Sequence, residues 1–455
     1  MSESDESPLR VEALLSLLGL ILLGYVGGAY SQTFRVFPYP QLLESYFGTV
    51  GSVARRGLAR PGTPQAPAAW QPTWYEEFGV VGDLAGPSGS AYTLYSSAGA
   101  PEAHLVNAAG ERLHSWKAPF SKVWPEAPHV GDLESPTDFY WRRVHLLPNG
   151  DLLALYTAAG GAPQGAGLVR LNRRSEVVWS HAAKTHHDFA VRRDGSIYAL
   201  AHRFRSPTPT RVGAMEDPPD EILADSVVQL APDGEEVARV SVLEAFSRSN
   251  YRSIIEGQPS AVEAPGEKAW DVLHTSSIAI IGPEFARRHP FAEAGQLLLT
   301  CRTVDIVAIL DIEQERIVWA SRGYWWQPTD AEPLDDGSLM VFDSNGHGGA
   351  GLPSRVLKFD PSSERVTWRY SGDREHPFWS REGGSLEVLS SGNLLVTSTL
   401  SGRIFEVTPA GEIDWEFRNP ARRTVDGRPV VAATWDGQRI SAELVRRTEL
   451  GASAR

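Results

Sequence analysis

The sequence predicts an all-β chain, a six-bladed β-propeller behind a single N-terminal transmembrane helix. Three observations carry this. From residue 81 onward, six units recur, each built of short hydrophobic strands broken by an x-Gly turn. Five of the units end in a tryptophan, at Trp116, Trp179, Trp319, Trp368 and Trp415, and the last two intervals are 49 and 47 residues. Four strands repeating at roughly 40–50 residues is the pattern of a propeller blade. Residues 13–34, by contrast, carry no charged side chain.

The bulk numbers agree. With 42 Gly, 32 Pro and 14 Trp against 3 Met in 455 residues, the balance suits many short strands and turns. A formal net charge of −13 excludes a nucleic-acid footprint, which needs a basic surface. Cys301 is the only cysteine and rules out an intramolecular disulfide. The bases are 38 Arg and 5 Lys, a skew that supplies planar forks for oxyanions.

Residues 1–12 read as a polar tail. Ala13–Tyr30 would span about 27 Å as a helix, close to the hydrocarbon core of a bilayer, with Tyr25 and Tyr30 at an interface. A cleaved signal peptide is the rival reading, because Gly27-Gly28-Ala29 offers small residues. The stretch before the run is acidic where a signal peptide is positive, which favours an uncleaved anchor. Residues 35–80 combine an amphipathic segment with the Pro/Ala-rich linker GLARPGTPQAPAAWQ. The propeller is assigned to residues 81–440 and a tail to 441–455.

In a propeller the first strand of each blade lines the central channel. Stepping back eight residues from the turn glycines Gly150, Gly195, Gly337 and Gly392 lands on Arg142, His187, Thr329 and Gly384. These are expected at one level of the channel. The fourth unit carries an insertion, and DVLHTSSIAII places His274 at that level by pattern. His187 and Thr329 share a frame, each followed by an Asp and then by an Asp-Gly turn. His186 alternates to the opposite face and reads as structural, as does His145. The tryptophans, and Tyr324-Trp325-Trp326, read as fillers between sheets. A metal site from His145, His187, His274 and Asp188 has no short-spacing signature, and no cofactor is expected. His347 lies in a Gly-rich loop without the lysine of a phosphate loop.

Three segments, HHD at 186–188, DVLHTSSI at 271–278 and LLLTCRTVDIVAILD at 297–311, together with FDSNG and GRIFEVTPAGEIDWEF, resemble the bacterial arylsulfotransferases that use no nucleotide donor. The resemblance implies a six-bladed propeller that moves a sulfuryl group from an aryl sulfate to a phenol through a sulfated histidine. It assigns His187 and His274 to the catalytic histidines, Arg302 to the sulfate, and Ser276 to a substrate-binding position where the family commonly has Asn. Arg142 is a second cation candidate at the channel level. These residue types suit the chemistry: fixed positive charge for a sulfuryl centre, an Arg fork for two oxygens, and imidazoles as nucleophile and acid. The departure is Thr329, which stands where the family keeps its nucleophile. The family's N-terminal sandwich domain is also missing.

Two functions follow. Loss of the nucleophile favours a non-catalytic binding or accessory subunit, anchored in the inner membrane with its propeller on the periplasmic side and partnered by other membrane-complex subunits. Retention of His187, His274 and Arg302 favours an active sulfotransferase with an aryl sulfate or phenol ligand.

Overall fold

In the computed structural model, residues 19, 22–25, 69–73, 75–82, 92–127, 129–130, 139–158, 165–206, 221–255, 262–263, 269–346 and 352–450 are described. The segments of alternating hydrophobicity form strands that pair antiparallel with their sequence neighbours, as hairpins of period-two sequence must to bury one face. The result is all-β and propeller-like. Six successive sheets of four or more strands are present among the described residues, with one three-stranded sheet beside them.

The six sheets are best named by their inner strands. These are Gly437–Ile440 in the first sheet, Phe139–Leu146 in the second, Thr185–Val191 in the third, Thr275–Ile280 in the fourth, Pro328–Pro333 in the fifth and Gly384–Val388 in the sixth. The first sheet is assembled from both ends of the repeat region, because Gly437–Ile440 pairs with Tyr92–Ser97. That pairing corrects the simple unit reading, in which each sheet is continuous in sequence. It occupies a strand edge that would otherwise stay open. The helix Ala442–Arg447 follows, N-capped by the hydroxyl of Ser441, which accepts from the Leu444 amide. Val445 of this helix is buried in the same cluster as Leu94, Trp116 and Val144, so the start of the expected tail is part of the core.

The linker also ends earlier than expected. Trp70–Pro72 pairs with Arg428–Ala432, and Gly79–Val81 adds a fifth strand to the sixth sheet. Of the apolar N-terminal run only residue 19 and residues 22–25 are described, as helix. Among the described residues no helix is long and apolar enough to cross a membrane. The expected span at 13–34 otherwise lies outside the described residues.

The tryptophans act between sheets. Trp179 donates its indole N–H to the Pro232 carbonyl at 3.1 Å, Trp368 to Pro409 at 2.9 Å and Trp415 to Ala108 at 3.3 Å. Each bond runs from the fourth strand of one sheet to a turn of the next. Trp325 is buried with Phe359 in T-shaped contact, and its N–H reaches the Asp305 carbonyl. Of the YWW run it is Trp325 that fills the joint between the fourth and fifth sheets, while Tyr324 is exposed.

The inner strands are tied into a ring by polar contacts. Asp436 accepts the Val144 amide (3.1 Å), Arg143 pairs with Asp188 (2.9 Å), and Asp188 accepts the Ile278 amide (3.1 Å). Ser276 donates to the Pro328 carbonyl (3.1 Å), Asp330 accepts the Leu386 amide (2.8 Å), and Glu387 accepts the Arg439 amide (2.7 Å). Six ties join six neighbours. Buried backbone donors need such partners, and a carboxylate supplies a strong one.

One channel position is glycine for a packing reason. A Cβ on Gly384 would sit 2.2 Å from the Phe342 ring, which is fully buried. Gly384→Ala is expected to cost about 1–3 kcal/mol by overpacking, read as a lower urea midpoint. An unchanged midpoint would mean the ring can move aside.

Candidate functional site

The channel-lining side chains come from bulges. The pairing of inner and second strands skips Arg142 in the second sheet, residues 186–188 in the third, Ser276 in the fourth and Thr329 in the fifth. A bulged residue leaves the ladder and its side chain is re-aimed. His187 has φ 60 and His274 φ 49, in the left-handed region. That region is sparse for side-chain-bearing residues, and histidine tolerates it better than most.

Arg142, Arg143, His187, Asp188, Ser276, Ser277, Thr329, Asp330, Gly384, Ser385 and Trp435 line one cavity, with about 320 Å³ of empty space that includes open solvent. The set has one pair of consecutive residues from each of five sheets. The first sheet contributes Trp435, which immediately precedes Asp436, just before its inner strand. The four residues reached by the eight-residue step from the turn glycines, Arg142, His187, Thr329 and Gly384, all line this cavity. The pattern that chose His274 misplaced the fourth sheet, where Ser276 lines the cavity and His274 lies two residues earlier, just outside the strand. The short helix Pro283–Ala286 between the first two strands broke the spacing.

Arg142 is the cation of this level. Its guanidinium lies over the Trp435 ring, 4.0 Å from the centroid. This stacking uses the face of the fork and leaves its N–H edge for a ligand. Burial, followed by the opposing influence of Tyr140 and the repulsion of Arg302, pulls it down to about 10, so it remains charged at neutral pH. Arg302, also buried, is partly committed: its Nη2 donates to the Arg381 carbonyl at 2.6 Å and to Gln327 Oε1 at 3.2 Å, with Glu382 at 3.6 Å. It bears on the site as nearby positive charge, acting on both Arg142 and His187.

The two predicted histidines meet. The rings of His187 and His274 are 4.7 Å apart and nearly perpendicular. Nδ1 of His274 lies 2.5 Å from Asp271 Oδ2, and its backbone N–H also bonds that carboxylate. A carboxylate at Nδ1 orients the ring and leaves Nε2 for chemistry. Nδ1 of His187 lies 2.8 Å from Nδ1 of His186. Burial first, then the charges of Arg142 and His274, hold His187 well below the usual histidine range, so it is a neutral imidazole.

Three members of this cluster escape a reading of the sequence. His186 reads there as structural, yet it contacts His187 directly and its Nε2 is 3.5 Å from Asp225 Oδ1. Asp225 is buried in the third strand of its sheet and accepts the Thr275 amide at 2.7 Å. His202 is buried against His186, with ring centroids 4.8 Å apart. Only the HH pair offers a signal; Asp225 and His202 sit in ordinary-looking strands. No group of three or more metal-ligating side chains is arranged to hold an ion among the described residues, and His347 lies outside them.

Thr329 and Ser276 are both occupied within the protein. The Thr329 hydroxyl is 3.0 Å from that of Ser344, and the Ser276 hydroxyl is 2.8 Å from that of Thr300. Cys301 is buried, and burial raises its thiol pKa, so it is an inert hydrophobe.

Comparison with known proteins places these features. Similar solved structures include a protein of unknown function from Bacteroides caccae (12% identity, TM-score 0.46, covering 72% of this chain and 94% of that one). A streptogramin B lyase (11%, TM-score 0.40, 80% and 96%) and the WD40 β-propeller domain of Doa1 (8%, TM-score 0.39, 82% and 98%) are also similar. No curated protein gives a significant match. The family model described as arylsulfotransferase (ASST) matches residues 143–420, the stretch that carries four of the six inner strands whole and the second half of Phe139–Leu146. The chain belongs to the arylsulfotransferase family.

Proposed function

We propose that the six sheets form a six-bladed propeller whose channel binds a sulfate ester or a chemically similar oxyanion. The observation that supports this most is Arg142: a buried, charged guanidinium stacked on Trp435, lining the same cavity as His187. Among the described residues no carboxylate pairs directly with it, Asp188 and Glu382 acting on it only from further off; a buried charge left so is costly unless a ligand completes it, and a planar fork suits two oxygens of one anion. The neutral His187 adds a lone pair in the cavity, and the Asp271-held His274 packs against its ring. An aryl group would find Trp435 at the cavity wall.

Sulfuryl transfer to a phenolic acceptor is the enzymatic form of this reading. The non-catalytic form, a binding or accessory subunit, is favoured by Thr329, whose hydroxyl is engaged with Ser344 where the family keeps its nucleophile. Either form can be held at the inner membrane by residues 13–34, with the propeller on the periplasmic side and alongside other membrane-complex subunits. The uncharged run supports the anchor alone; the periplasmic side is drawn from the family resemblance.

Titration calorimetry with 4-nitrophenyl sulfate tests the binding claim. Wild type is expected to bind, and Arg142→Gln to bind roughly 10- to 100-fold more weakly, as for loss of a charged hydrogen bond. Equal affinities would remove Arg142 from the site and the reading with it. Release of nitrophenolate in the presence of phenol then separates the enzymatic form from the accessory one.

A further inference from the structure

Thr329 removes one nucleophile, but the hydrogen bonds around His187 prepare another. We infer that His187 is the nucleophile of this channel, and that Asp225 and His186 are the positioning residues that direct its lone pair into the cavity. The inference rests on the oxyanion reading above for its substrate class.

Protons can be placed one after another along a single line of contacts. Asp225 accepts the Thr275 amide and faces His186 Nε2 at 3.5 Å. Burial pushes the Asp225 carboxyl up, but His186 and the Thr275 donors outweigh it, so it lies below its ordinary value and is ionised. An ionised carboxylate only accepts. A single ring proton on His186 is therefore placed on Nε2, facing the carboxylate, and its Nδ1 bears a lone pair. That lone pair is 2.8 Å from His187 Nδ1, so His187 must donate there. A neutral imidazole with its proton on Nδ1 has its lone pair on Nε2. His187 lines the cavity, on a bulge and with a left-handed backbone that hold it there.

The step balances. His187 Nε2 bonds to sulfur as the sulfur–oxygen bond to the aryl group breaks, and the departing aryl oxide takes a proton from Nε2 of His274, whose Nδ1 is held by Asp271. Sulfation leaves His187 cationic, and its Nδ1 proton is shared with His186, whose Nε2–H faces Asp225. The buried charge is thereby compensated along the line. In the second half a phenol oxygen attacks sulfur, the nitrogen–sulfur bond breaks, and the phenol proton returns to His274. Arg142 stays on the sulfuryl oxygens throughout.

Asp225→Asn is the informative variant. The Asn carbonyl can keep the Thr275 amide while its NH₂ donates to His186 Nε2. The His186 proton then moves to Nδ1, and His187 carries its own proton on Nε2, without a lone pair for attack. A comparable tautomer inversion in an Asp-His pair costs about 10⁴ in rate. The full chain is incubated with 4-nitrophenyl sulfate, and the sulfuryl adduct is mapped by mass spectrometry, with calorimetric binding measured in parallel. Nitrogen-15 spectra of histidine-labelled protein report the tautomers without any ligand. An adduct on His187, its formation slowed about 10⁴-fold in Asp225→Asn, with His187 protonated on Nδ1 in wild type and on Nε2 in the variant, is the expected result. Binding without an adduct, or an adduct on His274, overturns the inference and leaves the binding reading intact. A wild-type His187 protonated on Nε2 overturns it irrespective of ligand. Absence of binding rejects the substrate class, and the nucleophile assignment falls with it.

Discussion

Arg143→Met is expected to destabilise the protein by about 3–5 kcal/mol, more than any other substitution of a single inner-strand residue. Its guanidinium joins three sheets: Nε pairs with Asp188 at 2.9 Å and Nη1 with Asp436 at 3.0 Å. Both carboxylates are buried, and each also accepts a backbone amide from the next sheet. Removing the cation leaves two uncompensated buried charges, which is far costlier than losing a surface pair. Burial works against the charge of Arg143, but Asp188 and Asp436 outweigh it and keep the guanidinium protonated. Urea denaturation reads the loss. The double variant Arg143→Met/Asp188→Asn is expected to recover part of it, because one of the stranded charges is gone. A loss below about 1 kcal/mol, the range of an exposed pair, would show that the ring does not depend on this cation.

The same ring makes stability depend on pH in an unusual direction. Burial pushes Asp188 and Glu387 up to about 7, and raises Asp330, Asp436 and, furthest, Glu332. A carboxyl whose folded pKa exceeds its unfolded value binds more protons when folded. It therefore stabilises the fold below its unfolded pKa, and that contribution is lost as pH rises through the folded pKa. Histidines work oppositely: His187, His202 and His145 are lowered, chiefly by burial, so the unfolded chain binds their protons below about 6.5 and stability falls as the solution becomes more acid. The two sets oppose each other below about pH 6.5. Above it only the carboxylates act. The unfolding free energy is expected to fall by about 2–4 kcal/mol between about pH 6.5 and 8, since a tenfold change in proton affinity is worth about 1.4 kcal/mol. Glu332→Gln is expected to flatten that fall. A free energy that rises between about pH 6.5 and 8 would contradict the assignment.

The sheets were legible because period-two alternation, turn glycines and outer-strand tryptophans are local signals. The channel level was legible for a related reason: with a tight turn between the inner and second strands, a fixed step from the glycine reaches the bulge. Arg142, His187, Thr329 and Gly384 all meet at one cavity. The step failed where a helix interrupts the turn, which put His274 in the place of Ser276. It was blind to Trp435, because the first sheet is closed by a strand from the far end of the repeat and has no hairpin to count from. The shared frame of His187-Asp188 and Thr329-Asp330 had two meanings. Its first residue faces the channel, whereas its aspartate is a latch to the next sheet through the Ile278 and Leu386 amides. The role of Asp225 was out of reach, because only tertiary packing brings it to His186.

Everything proposed for the channel requires a tetrahedral oxyanion held between Arg142 and the His187–His274 pair. Selenate matches sulfate in shape and charge and scatters anomalously. Crystals of the protein grown without sulfate and soaked in selenate are expected to show one anomalous peak in the cavity, within hydrogen-bond reach of the Arg142 guanidinium and of His274. A cavity without that peak, or Arg142 turned away to pair with a protein carboxylate, would contradict oxyanion binding there.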